Sequence, residues 1–144
     1  MSDGRLRVLD TDTLSLIQRG RELVTLHLLE TPLAQRAVTI ITVEEQLRGR
    51  LAEIRRAAEG TPQFVTAYAR IQQTFEAFRA MRILLMDASG TQHLASLRAQ
   101  RLRLSTQDLR IAAIALSFGG VLVTCNTAHF SQVPGLQVED WSRA

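Results

Sequence analysis

The sequence predicts an α/β fold in which helices cover both faces of a central parallel sheet of four or five strands. Short apolar runs rich in β-branched residues recur along the chain, and longer segments with helical periodicity separate them. This alternation of strand and helix is typical of parallel sheets. The chain has 144 residues, 46% of them hydrophobic, and no internal repeat or linker, so we expect one domain spanning residues 1–144.

The strands are predicted from their apolar character and from the polar residues that end them. A buried strand is expected where Val, Thr and Ile follow one another, and a short edge strand is expected near the C-terminus. The predicted strands cover residues 6–9, 38–42, 82–86 and 121–125, with the edge strand within 133–138.

Helices are predicted between these strands from apolar residues spaced three and four apart. Thr42 followed by Glu45 matches a capping box and predicts that a helix begins at Val43. Ser105 and its neighbours supply polar caps for a later helix. The predicted helices cover residues 11–19, 21–35 with a break near Pro32, 43–58, 63–79, 88–103 and 109–118.

The charge balance is compatible with a nucleic-acid partner. The net charge is +3, and all 17 basic residues are arginines, whose planar fork suits phosphate groups. The alternative is an ordinary solvated surface. Arg48, Arg50, Arg55 and Arg56 share this ambiguity, because they could follow an RNA backbone or pair with Glu53 and Glu59 on one helix.

The cysteine content and the apolar runs predict a cytoplasmic protein. Cys125 is the single cysteine, so no internal disulfide can form. No run has the length of a signal peptide's apolar core or of a membrane span.

Acidic residues follow several predicted strands, where the sites of open α/β sheets gather. Asp10 ends the first strand, Glu44 and Glu45 begin the helix after the second, and Asp108 opens the helix that leads to the fourth. Carboxylates that meet at one edge repel each other unless they bind protons, arginines or a cation. Hard oxygen ligands favour Mg²⁺, with Mn²⁺ as the alternative, and the chemistry expected there is phosphodiester hydrolysis.

Some of these acids have an ordinary structural explanation. Asp87 also follows a strand, but it directly precedes a helix and is expected to be its N-cap. Glu44 and Glu45 project about 100° apart on a helix, so only one can face a given site, and spacing does not choose between them. Asp12 is a common first-turn acid whose contribution stays open.

A second motif covers the same residues. Asp10-Thr11-Asp12-Thr13 after an apolar strand matches the Asp-x-Asp-x-Thr signature of haloacid-dehalogenase-type phosphatases. Those enzymes usually also use a lysine and a later acidic pair, and this chain has no lysine. The phosphatase is therefore the weaker hypothesis.

Taken together, four stretches resemble the PIN-domain family, and within it the VapC-type toxins of bacterial toxin–antitoxin pairs. The first resembles the opening Leu-Asp-Thr-Asn/Asp motif, the second the Thr-Val-x-Glu-Leu-x-x-Gly helix start and the third the Asp-x-x-Ile-Ala motif. The fourth resembles the family's C-terminal block, which continues through residues 133–136 and 139–141. The stretches are Val8–Ser15, Ile41–Gly49, Thr106–Ala113 and Leu122–Phe130.

The resemblance implies a three-layer PIN-like fold and a role for each site residue. Asp10 and Asp108 would hold Mg²⁺, and Glu45, selected over Glu44, would complete the metal site. Thr124 and Asn126 would assist by hydrogen bonding. Asn126 stands where many members carry a fourth acid, which leaves the number of metals open.

The resemblance also implies an activity and partners. The chain would be a Mg²⁺-dependent endoribonuclease that cleaves tRNA, rRNA or mRNA and acts as a toxin. It would form a homodimer and bind a cognate antitoxin. The alternative from a different class is an inactive PIN-like module that binds RNA or an antitoxin.

Overall fold

A computed structural model describes residues 3–144 of the chain. Within that range the chain alternates between short strands and helices, as the sequence predicts. The strands are β1 Arg7–Leu9, β2 Arg36–Thr39, β3 Arg82–Leu84, β4 Val121–Val123 and β5 Gln137–Glu139. The helices are α1 Thr11–Gln18, α2 Glu22–Glu30, α3 Ile40–Arg56, α4 Pro62–Arg79, α5 Ala88–Ala99, α6 Thr106–Ser117 and α7 Thr127–Phe130, with a 3₁₀ turn at Leu33–Gln35.

The five strands form one parallel sheet in the order β3-β2-β1-β4-β5. Strand β1 lies at the centre, and Leu9 is in register with Val38 on one side and with Val123 on the other. The strand order reverses between β1 and β4, which makes their carboxyl ends the topological switch point where α/β sheets bind ligands. Asp10 and Thr124 follow these two strands directly.

Successive residues of the central strands point to opposite faces of the sheet, and both faces are buried. Val8, Ala37 and Leu122 belong to one apolar cluster, which includes most of the buried residues of α6. Leu9, Val38 and Val123 belong to the other, which includes residues of α1, α2 and α4. The predicted three-layer architecture is confirmed, and the edge strand near the C-terminus is β5.

The start of α3 differs from the prediction. The strand is shorter than expected and ends at Thr39, whose hydroxyl oxygen accepts a hydrogen bond from the backbone N–H of Thr42 at 3.2 Å. Thr39 is therefore the N-cap, and the predicted capping box of Thr42 and Glu45 is wrong. The correction matters because Glu45 lies in the second turn, where its carboxylate is not used for capping.

Other element ends also move. Strands β3 and β4 end at Leu84 and Val123, two residues earlier than predicted, and α5 ends at Ala99, before Arg101 with its positive φ of 54°. Helix α6 begins at Thr106, because the hydroxyl oxygen of Ser105 caps the N–H of Asp108 at 3.1 Å. No helix in the described part of the chain is long and apolar enough to cross a membrane.

A substitution at Gly120 tests how tightly the chain packs against the central strand β1. A Cβ atom added there would lie 2.8 Å from Cγ2 of Val8 and 3.4 Å from the backbone oxygen of Leu6. Val8 is fully buried and its branched side chain is stiff, so it cannot move aside. We expect Gly120→Ala to lower the free energy of unfolding in urea by about 1–3 kcal/mol.

Gly90→Ala is the matched control for this prediction. Its new Cβ would meet the flexible Sδ atom of Met86 at 2.9 Å, and alanine also favours the helix. A loss for Gly120→Ala no greater than that for Gly90→Ala would contradict the packing argument.

Candidate active site

Asp10 is a nearly buried carboxylate at the switch point of the sheet. It is 5% exposed and serves as the N-cap of α1, accepting the backbone N–H of Thr13 at 2.9 Å. Burial raises the pKa of Asp10, although hydrogen bonds from Thr124 and Thr13 favour the charged form and partly oppose the rise. The charge of Asp12 raises it further. The ionised carboxylate is thus disfavoured here unless something stabilises its charge.

Thr124 joins the ends of β1 and β4. Its side chain is fully buried, and its hydroxyl group hydrogen-bonds to the carboxylate of Asp10. The same hydroxyl oxygen accepts the backbone N–H of Asn126 at 2.9 Å. Asn126 is exposed and precedes α7, and its side chain makes no capping hydrogen bond. Thr124 therefore orients Asp10, while the amide of Asn126 is available at the edge.

Glu45 is held beside Asp10 by a relay of hydroxyl groups. Thr11 donates its hydroxyl proton to Oε1 of Glu45 at 2.7 Å, and its oxygen lies 3.0 Å from that of Thr42. Because Thr11 has only one hydroxyl proton, Thr42 is the donor in the second bond. Thr11 follows Asp10 in the chain, so this relay fixes Glu45 at the end of β1.

Asp108 lies in the first turn of α6 and is half-buried. Burial raises its pKa, the hydrogen bond from Ser105 lowers it, the charge of Asp12 raises it and His129 lowers it. Asp12 therefore acts electrostatically on both Asp10 and Asp108. The sequence had left the contribution of Asp12 open. Thr11 and His129 lie within stretches that the motifs cover, but no motif assigned either of them a role in the site.

Two of the acids that follow strands have other partners. Asp87 caps α5 by accepting the N–H of Gly90 at 2.7 Å, as predicted, and it also accepts the hydroxyl of Ser117 at 2.9 Å. Glu44 points away from Glu45, pairs with Arg48 at 2.9 Å and accepts the amide of Gln107 at 3.1 Å. The structure thus brings Glu45 to the end of β1 and ties Glu44 to Arg48 on its own helix and to Gln107 of α6.

Within residues 3–144, no arginine neutralises the acids of the candidate site. None of the ion pairs among residues 3–144 involves Asp10, Asp12, Glu45 or Asp108. In the same range, no three acidic, histidine or cysteine side chains stand close enough together to enclose a metal ion. The described acids therefore do not form a closed cage of three carboxylates.

Comparison with solved structures reveals the same fold. A FitAcB structure from Neisseria gonorrhoeae matches 96% of this chain and all of its own with a TM-score of 0.76 and 22% identity. VapBC-1 from nontypeable Haemophilus influenzae matches 96% of this chain and 99% of its own, with a TM-score of 0.75 and 22% identity. A toxin–antitoxin complex from Klebsiella pneumoniae matches 94% of this chain and 97% of its own, with a TM-score of 0.70 and 25% identity.

The chain has the PIN-domain fold of VapC proteins. The resemblance inferred from the four motifs is confirmed at this level. One curated relative, the tRNA(fMet)-specific endonuclease VapC of Shigella flexneri, is 39% identical over 64 residues, which are 42% of this chain and 48% of that protein. The match therefore spans about half of the relative's length. No protein-family model matches the chain.

The donor set at the edge of this VapC-type fold fits Mg²⁺. Every candidate ligand is a hard oxygen atom, and Mg²⁺ usually binds proteins through one or two carboxylates while retaining waters and taking substrate phosphate oxygens. The separation of the acids fits this open binding and does not fit a cage of three carboxylates. Asp10 and Asp108, whose pKa values burial raises, are the carboxylates that a cation would relieve most.

Replacing Asp10 with asparagine tests the burial of its charge. Because the pKa of Asp10 is raised on folding, its ionisation opposes folding, and this penalty grows as the pH rises through the folded-state pKa. Asparagine keeps an oxygen for the N–H of Thr13. We expect Asp10→Asn to raise the Tm at neutral pH by roughly 2–4 °C, which corresponds to about 1 kcal/mol in the free energy of unfolding. We expect this gain in Tm to shrink as the pH is lowered.

Asp87→Asn is the matched control, since Asp87 is also an N-cap. The N–H of Gly90 and the hydroxyl of Ser117 lower the pKa of Asp87, so its ionised form favours folding above the unfolded-state pKa. We expect no rise in Tm at neutral pH from this variant. Equal changes in the Tm of the two variants would contradict the conclusion that the charge of Asp10 destabilises the folded protein.

Proposed function

We propose that this chain is a Mg²⁺-dependent endoribonuclease that acts as the toxin of a toxin–antitoxin pair. The single observation that carries the proposal is the buried carboxylate of Asp10 at the switch point. Asp12 acts on the charges of both Asp10 and Asp108, Thr11 holds Glu45, and within residues 3–144 no arginine forms an ion pair with any of these acids. Such an edge suits a cation that is itself shared with a phosphate group.

In this proposal Asp10 and Asp108 hold the Mg²⁺ ion, and Glu45 completes the site through a water molecule. A bound Mg²⁺ would neutralise the acidic edge and polarise the scissile phosphate. Glu45, fixed by the hydroxyl of Thr11, orients the attacking water and accepts its proton. Thr124 keeps the carboxylate of Asp10 in place, and the exposed amide of Asn126 donates to the substrate.

The comparisons support the choice of a first substrate to test and of an antitoxin as partner. The Shigella relative is named for an initiator tRNA, which makes tRNA the first substrate to test among tRNA, rRNA and mRNA. The structural neighbours are VapBC and toxin–antitoxin structures, which supports a cognate antitoxin as partner. The proposed protein works in the cytoplasm as a homodimer.

Cleavage of tRNA by the purified protein tests the proposal. We expect initial rates on a gel to depend on Mg²⁺, to stop with EDTA and to fall by at least about 10²-fold in Asp10→Asn and Asp108→Asn, since each removes a charged metal ligand. Asp87→Asn is the control and should keep the wild-type rate, because Asp87 only caps α5.

Three results would contradict the proposal. Cleavage that ignores EDTA or survives Asp10→Asn would exclude the metal nuclease. Binding of RNA without cleavage would favour the inactive PIN-like module. Release of phosphate from a small ester with the RNA left whole would favour the haloacid-dehalogenase-type phosphatase.

A further inference from the structure

A groove of about 960 Å³ opens from the acidic edge and runs between α1, α3 and α4. Thr11 and Glu45 lie at one end of it, so the groove is continuous with the candidate active site. Arg19, Arg50 and Arg70 line the rest together with threonine, serine and glutamine side chains. A ligand in the groove would therefore pass from a basic wall to the acidic edge.

We propose that this groove holds a single strand of the RNA substrate and that Gly49 marks the point where the strand passes closest to α3. The inference rests on the proposed ribonuclease function and adds the path by which the RNA reaches the site. Its first support is the position of Gly49, one turn beyond Glu45 on the same face of α3.

Gly49 has no structural reason to be a glycine. It lies in the middle of a 17-residue helix, where glycine is one of the least favourable residues. A Cβ atom added there would meet nothing within 4 Å, and its φ is not in the left-handed region. Since no neighbour among the described residues needs the space, the missing side chain keeps the groove open for a ligand that approaches the backbone closely.

The charges along the groove favour a polyanion. Arg50 and Arg70 share one acid, Glu53, at 3.1 Å and 3.3 Å, so the pair of arginines keeps an excess positive charge. Arg50 is also held by the hydroxyl of Thr74 at 2.9 Å, which fixes its guanidinium in the groove wall. Arg19 has no ion-pair partner within residues 3–144 and is exposed.

The remaining lining suits sugars and bases better than an apolar peptide. Gln18 and the buried Gln46 exchange amide hydrogen bonds at 2.8 Å and 3.0 Å, which places a pair of donor and acceptor groups in the wall. Apart from Gly49, the apolar lining residues are Val65 and Ala69 alone. The hydroxyl and amide groups of the other lining residues match the 2′-OH and base edges of single-stranded RNA.

RNA binding by Gly49 variants tests the proposal. The parent is Asp10→Asn, which we expect to cleave at least about 10²-fold more slowly than the wild type. The probe is a fluorescein-labelled unstructured RNA of about 12 nucleotides. In fluorescence anisotropy we expect Gly49→Leu to weaken binding at least about tenfold. Gly49→Ala should weaken it by a smaller factor while raising the Tm by roughly 2–4 °C, because alanine favours the helix.

Arg55 supplies the control for both bulk and charge. It is exposed on α3 and lies outside the groove, so Arg55→Leu should leave the dissociation constant within about twofold of the parent. Arg19→Gln should lower the slope of log Kd against log salt by about 0.7, the value for one phosphate contact to a single strand, whereas Arg55→Gln should not.

A dissociation constant for Gly49→Leu and Gly49→Ala within about twofold of the parent would overturn the inference and assign the groove to a protein partner or to no ligand. Gly49→Ala keeps the test valid if the leucine variant does not fold. Failure of the proposed function is scored separately by cleavage. If the wild type does not cleave RNA but binding still depends on Gly49, the proposed function fails and the RNA path through the groove is supported. If the wild type cleaves RNA but the Gly49 variants bind as the parent does, the proposed function stands and the RNA path through the groove is overturned.

Discussion

The carboxylate of Asp10 lies almost wholly out of contact with water at the end of the central strand, and most of the site is arranged around it. The chain supplies hydroxyl and amide hydrogen bonds from Thr124 and Thr13, but no arginine. Asp12 adds a second negative charge nearby. A protein that only needed an N-cap could use an exposed acid, as it does at Asp87. The burial of Asp10 is therefore a stability penalty at the edge that we propose as the active site.

Much of this arrangement follows from sequence patterns. The alternation of strands and helices predicts the parallel sheet, and parallel strands bring their carboxyl ends, with Asp10 and Thr124, to one edge. The ends of the helices and strands were harder to predict from the sequence, because they depend on which hydroxyl group caps which N–H. Thr39 competes with Thr42 as the cap of α3, and the structure shows that the hydroxyl of Thr39 accepts the N–H of Thr42. Spacing could not separate Glu44 from Glu45. Glu44 pairs with the nearby Arg48, but Glu45 is bound by Thr11, which lies more than 30 positions earlier in the chain.

The groove beside α3 shows a further limit of sequence patterns. Arg50, Arg55 and the other arginines of α3 look alike in the sequence, and the structure separates them by what lies opposite. Arg50 faces α4 through Thr74 and enters the groove, whereas Arg55 faces solvent. Gly49 ends the second stretch that resembles the family, but neither the motif nor the helical pattern says what this glycine does. Its meaning comes from the open space where a side chain would stand.

The most direct test of the central claim is a Mg²⁺ titration of thermal stability at neutral pH and constant ionic strength. A cation that binds the folded protein at Asp10 stabilises it by mass action, and the same ion cannot do so once that charge is removed. The account predicts that the Tm of the wild type rises steadily with Mg²⁺ while the Tm of Asp10→Asn, higher at the outset, stays constant. Equal rises in the two proteins, or no rise in the wild type, would contradict it.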